Sequence, residues 1–87
     1  MTRIKQLIWD DWNVEHISGH KVSVDEVEEV CRLSTEALKT YKERLIILGK
    51  TKKGRLLTIV LGPKGKGKYY VVTARDMSKK ERRIFLK

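Results

Sequence analysis

The chain has 87 residues, of which 40% are hydrophobic and 36% charged, with a net charge of +9, one proline and one cysteine. A chain of this length makes one domain, residues 1–87, whose small core hides only about 60–65% of the surface that the unfolded chain exposes. The composition excludes a disordered chain, the lone Cys31 excludes an internal disulfide, and two histidines and one cysteine far apart do not spell a zinc site.

The opening MTRIKQLIWDDW holds an apolar run too short for a signal peptide or a membrane span. A cytoplasmic location is therefore expected, and Cys31 fits a reducing compartment as a small core residue. Residues 1–43 hold six Lys/Arg against nine Asp/Glu, a charge of −3; residues 44–87 hold fourteen against two, a charge of +12. Such a split points to a polyanion on one face, nucleic acid first. A solvated, lysine-rich surface is the plainer alternative.

Ile4 to Trp9 reads as a short strand. Asp10 or Asp11 is placed to cap a helix through Ile17, which Gly19 is expected to end in the left-handed conformation. Trp12 and His16, four apart, should stack on one face. Both tryptophans read as core or partner-interface residues in preference to base-stacking ones. Ser23 and Glu26 have capping-box spacing and open a second helix. Val24, Val27, Val30 and Cys31 form its apolar stripe, and Asp25, Glu26, Glu28 and Glu29 a face read as simply solvated.

Thr35 to Tyr41 is ambiguous between a helix tail and a short strand. ERLIILGK, the KTKKG connection and GRLLTIVL read as a hairpin with Gly54 at its turn. Its apolar runs are too continuous for simple alternation, so both faces of the sheet should be at least partly covered. PKGKGK reads as a flexible hairpin tip whose lysines could touch a nucleic-acid backbone; its spacing is not that of a phosphate-binding P-loop. YYVVTAR suits a strand, and Ser78 with Glu81 repeats the capping-box spacing, opening a terminal helix anchored by Ile84 and Phe85. Arg75, Lys79, Lys80, Arg82 and Arg83 crowd that junction, where a helix N-terminus would favour a phosphate. The whole reads as α+β: two N-terminal helices on a three- to four-stranded antiparallel sheet, with a short C-terminal helix.

WDDWNVEHI, then a histidine before VSVDEVEEV, then RLIILGKTKKGRLLTIVL, then VVTAR and KKERR resemble the BrnT family of bacterial toxins, from about Trp9 to Arg83. The resemblance implies the toxin half of a type II toxin–antitoxin pair. Such a toxin is a compact, RelE-like ribonuclease that cleaves RNA, inhibits translation and is neutralised by a BrnA antitoxin, with no cofactor. One departure stands out. The family pattern is Lys-His-Gly, and here it is Gly19-His20-Lys21.

Metal-independent RNA cleavage uses the substrate's 2′-hydroxyl as nucleophile, so the protein must move protons and stabilise charge on the phosphate. The planar fork of arginine suits that phosphate. Arg75 is the first candidate, with Arg55 and Arg82 beside it. His20 is the candidate acid or base, and Glu81 the alternative base. Lys21, Lys64, Lys66, Lys79 and Arg82 are candidate RNA contacts. A histidine after a helix is also a common cap, and Glu81 is explained by its capping box alone. A non-catalytic nucleic-acid-binding or protein-interaction module on the same fold is the alternative function.

Overall fold

In the computed structural model, which describes residues 4–33, 37–39 and 44–86, the chain runs β1 (Gln6–Ile8), α1 (Asp11–Ser18), α2 (Val24–Leu33), β2 (Ala37–Lys39), β3 (Leu45–Lys50), β4 (Leu56–Gly65), β5 (Lys68–Asp76) and α3 (Lys79–Phe85). The strands form one sheet in the order β1-β5-β4-β3-β2.

The expected fold class holds, but the sheet is five-stranded and mixed, not purely antiparallel with three or four strands. β1 joins the edge parallel to β5, with Leu7 opposite Tyr69. Sequence alone could not show this pairing, because parallel partners need a long crossover and nearly the whole chain lies between these two. Two donors hold β1 at its start: the amides of Lys5 and Gln6 both give to the Gly67 carbonyl. The ambiguous segment supplies β2 at Ala37–Lys39, antiparallel to β3; Thr35, Glu36, Thr40, Tyr41 and Glu43 lie outside the described residues.

α1 begins where Asp10 caps it. The Asp10 carboxylate accepts from the Asn13 amide, and the Asn13 side chain accepts from the Asp10 amide. Asn13 is fully buried, and its side-chain amide donates to the carbonyls of Ile8 and Val71. That one side chain fixes α1 beside the edge of β5. Gly19 does not end the helix in the left-handed region; its φ is −60°. The left-handed residue is Lys21, at φ 60°. It occupies the place where the family pattern has glycine, the residue that adopts this conformation without penalty. α2 is capped by Ser23, whose hydroxyl accepts from the Glu26 amide while Glu26 accepts from the Ser23 amide.

Register assigns the two faces of the sheet. The rows Ile47–Ile59–Ala74 and Leu45–Leu61–Val71 are buried against Ile17, Val22, Val27 and Val30, the contributions of α1, α2 and the turn between them. The opposite face carries the rows Leu48–Thr58–Arg75 and Ile46–Val60–Thr73. Leu48 and Thr58 are buried there, while Ile46 and Val60 are half-buried. The continuous apolar runs of β3 and β4 thus have a physical reason, since both faces lose contact with water.

The PKGKGK segment is a hairpin tip as expected, with most of it paired as strand. β4 continues to Gly65 and β5 starts at Lys68, so the reversal falls on Lys66 and Gly67. Gly67 has a φ of 74°, and a Cβ there would sit 2.8 Å from the Lys5 Cγ, so glycine is required on both counts. No helix among the described residues is long and apolar enough to cross a membrane.

Candidate active site

The candidate residues meet where the β4–β5 hairpin opens, at the start of α3. Ser78 caps α3 as the spacing predicts: its hydroxyl accepts from the Glu81 amide, and Glu81 Oε1 accepts from the Ser78 amide at 2.8 Å. Glu81 does more than cap. The same Oε1 accepts from Thr58 Oγ1 at 2.9 Å and from Arg75 Nη1 at 2.8 Å, while Oε2 accepts from Arg75 Nη2 at 3.0 Å. One carboxylate thereby joins β4, β5 and α3. α3 contributes no fully buried residue, so this polar junction is a main attachment of the helix. The two-pronged bond from Arg75, outweighing the effect of burial and helped by Ser78 and Thr58, lowers the Glu81 pKa to about 2.

The phosphate expected at the N-terminus of α3 finds that place taken. The reciprocal cap already engages the Ser78 and Glu81 amides there, and α3 is only seven residues long. The chain's own carboxylate stands where an external anion was expected.

Arg55 and Arg75 are both at the site, yet their donors are spent differently. Arg55 Nε gives to Asp76 Oδ1 at 2.9 Å. Its Nη1 gives to both oxygens of Glu26, at 3.1 and 3.2 Å, and to the Lys21 carbonyl at 2.6 Å, and its Nη2 reaches the His20 carbonyl at 3.4 Å. A guanidinium has five N–H groups, and these bonds leave Arg55 a single Nη2 hydrogen. Arg75 gives to Glu81 and, from Nη1, to the Asp76 carbonyl at 3.2 Å. That leaves its Nε–H and one Nη2–H, adjacent donors on one edge, and its side chain is 39% exposed. Arg55 is therefore a tie between β4 and the α1–α2 turn, and Arg75 is the guanidinium with a free fork.

Asp76 sits between them. The Arg55 bond lowers its pKa against the opposing effect of burial, and the charges of Arg55 and Arg82 add to the lowering. Arg82 is exposed on α3 within the field of that carboxylate. Three arginines distant in sequence therefore gather around Asp76. His20 and Lys21 arrive with the turn that Arg55 holds, through their backbone carbonyls. Lys79 is exposed on the first turn of α3. Lys64 and Lys66 do not belong to this group. They lie at the far end of the hairpin, about 27 Å along β4 from Leu56.

Four contributors were not legible as such. Nothing in the sequence marked Thr58 or Asp76 as site residues. Glu26 looked solvated, but it pairs with Arg55; burial raises its pKa, and the Ser23 and Arg55 hydrogen bonds outweigh this to lower it. Its neighbours on α2 are also engaged: Glu28 accepts from the Trp9 indole at 2.8 Å and Glu29 from the Lys52 amide at 2.6 Å. His16 is the fourth: its Nε2 lies 3.1 Å from Thr73 Oγ1. Among the described residues no group of three His, Cys, Asp or Glu side chains is gathered as metal ligands would be. The Cys31 thiol is pushed up to about 12 by burial, with the charge of Glu28 adding to it.

A mixed sheet, with an arginine cluster where its long hairpin meets a terminal helix, defines the class: a small α+β fold with a cationic junction at one end of its sheet. No family model matches the chain, and no curated protein matches it. Among solved structures it is similar to the Brucella abortus ribonuclease toxin BrnT, with a TM-score of 0.67 and 22% identity over 85% of this chain and 97% of that one. The chain has a BrnT-like fold.

Proposed function

We propose that this chain is a ribonuclease toxin of a type II toxin–antitoxin pair, acting on RNA in the cytoplasm and held in check by a BrnA-type antitoxin. The observation that carries the reading is the free edge of Arg75, set among Arg55, Arg82 and the His20 turn on a fold like that of a ribonuclease toxin. The resemblance of the sequence motifs to the BrnT family supports it independently.

In this reading the 2′-hydroxyl of the RNA attacks the adjacent phosphate and the 5′-oxygen leaves. Arg75 binds a non-bridging phosphate oxygen through its Nε and Nη2 hydrogens, where charge develops in the transition state. Arg82, Lys79 and Lys21 add attraction for the backbone. His20 exchanges a proton with the reacting oxygens, since an imidazole can either give or take one. Glu81 is a weak base at its lowered pKa. Its role is to aim Arg75, as that of Arg55 is to hold the turn that carries His20.

The test is to incubate the purified chain with RNA in EDTA and analyse the ends. Fragments ending in 2′,3′-cyclic phosphate and 5′-hydroxyl are expected. RNA left intact across a wide range of protein concentration, beside an active control ribonuclease, would favour the non-catalytic binding module. That alternative draws on the exchange of Lys-His-Gly for Gly19-His20-Lys21.

A further inference from the structure

Three aromatic side chains have no part in the chemistry above as a set. Trp12, His16 and His20 are spaced by four, so they climb one side of α1 and the turn after it. The Trp12 and His16 ring centroids are 5.6 Å apart with planes within 8°, a stacked pair. His20 meets His16 edge-on, with centroids 5.5 Å apart and planes at 72°. Trp12 was expected in a core or a partner interface; here it is 68% exposed. One face of its indole lies against His16, so exposure on that scale leaves the other face open to water. The fold leaves this large apolar ring in water, although Ile17 on the same helix is fully buried.

The ladder is fixed in place. Asn13 ties α1 to β5, His16 reaches Thr73, and Arg55 holds the carbonyls of His20 and Lys21. Thr73 stands two residues before Arg75 on the same side of β5, about 7 Å along the strand. The open indole face is thus held in one orientation, at the end of a ladder whose middle rung meets the strand that carries Arg75.

We propose that the outer face of Trp12 is a base-stacking subsite for an unpaired nucleobase of single-stranded RNA, whose backbone runs on toward Arg75 and Arg82. The proposal rests on the ribonuclease reading and extends it from phosphate to base. Single-stranded RNA is held by this pairing of aromatic platforms with a cationic track. The charge of the neighbouring cluster complements a phosphate backbone. The exposed neighbours of Trp12 on α1 are mostly polar, Asp11 and Glu15 among them, with Val14 the apolar exception, so the ring is not the centre of a broad apolar patch of the kind a protein partner covers.

The test measures binding of the whole chain to a short oligoadenylate, and to the same ribose-phosphate chain without bases, by fluorescence anisotropy. Trp12→Ala should raise Kd for oligoadenylate about 5- to 100-fold, and Trp12→Phe should recover most of that loss. Neither should change Kd for the abasic chain or the salt dependence, since stacking releases no counterions. In Trp9→Phe protein, where Trp12 is the only indole, oligoadenylate should quench the emission and the abasic chain should not. This second readout serves if Trp12→Ala does not fold. Equal binding of oligoadenylate by wild type and Trp12→Ala, or emission unmoved at saturation, overturns the platform and leaves Trp12 to a protein partner, with the RNA reading intact. An equal loss on both ligands also overturns it. Wild type that binds neither ligand even at low salt overturns the RNA reading itself.

Discussion

At one end of the β4–β5 hairpin Arg55 and Arg75 are held by Glu26, Asp76 and Glu81; at the other, Lys64 and Lys66 are held by almost nothing. Lys64 Nζ lies 5.9 Å from the Tyr70 ring centroid, a contact worth about 0.5–1 kcal/mol at an exposed site. Both ends belong to the strongly basic half of the sequence, yet they differ in what their charge can do. Lysines in solvent supply a diffuse field. Arginines fixed by carboxylates are aimed, and much of their charge is neutralised within the fold. What is left at the base of the hairpin is one free edge of Arg75 and the unpaired charge of Arg82, placed where the His20 turn arrives.

Four variants break or sharpen this contrast. The largest effect is expected from Glu81→Ala, which removes the acceptor shared by Thr58, Arg75 and Ser78. It should cost about 2–4 kcal/mol in urea unfolding, because three residues lose a charged acceptor, Ser78 among them through the return half of the capping box. Acid tests the same junction. The Glu81 pKa is about 2 in the folded chain, below its ordinary value of 4.5. Its contribution is therefore complete above about pH 4.5 and lost as pH falls toward 2, on the order of 2 kcal/mol. The folded-state pKa values of Glu26 and Asp76 are also lowered and act in the same direction. Glu81→Gln should flatten the stability profile over that range.

Lys21→Gly should stabilise the chain by about 1 kcal/mol in the same unfolding measurement. It relieves a side chain at φ 60°, and the lost turn rigidity offsets only part of that gain. Its interest is the sign, since few surface substitutions stabilise. The smallest effect belongs to the tip. Lys64→Ala with Lys66→Ala should leave stability within about 0.5 kcal/mol and only reduce the salt dependence of RNA binding.

The legible parts of this fold were those written in local chemistry. Ser23–Glu26 and Ser78–Glu81 announced two helix starts, Asp10 a third, and Gly54 the turn of the first hairpin, because caps and turns depend on residues close in sequence. The stack of Trp12 on His16 followed from a spacing of four. What stayed hidden depended on partners far apart. The parallel pairing of β1 with β5, the Glu26–Arg55 bond and the Thr58–Glu81 bond each join residues that no spacing rule connects. The left-handed residue was misplaced by two positions because Gly19 is the permissive residue, while the constraint falls on Lys21. At the candidate site, sequence could name Arg55, Arg75 and Glu81 together. It could not say that Glu81 occupies the fork of Arg75 or that Arg55 has almost no donor to spare, since hydrogen-bond accounting needs geometry.

The contrast between the two ends is tested most directly by RNA cleavage in EDTA, with Arg75→Ala compared against the Lys64→Ala, Lys66→Ala double variant at equal RNA occupancy. The account predicts a loss of about 100- to 1,000-fold for Arg75→Ala and a rate within a few fold of wild type for the double variant. Cleavage that survives Arg75→Ala, or that disappears with the two tip lysines, would contradict it.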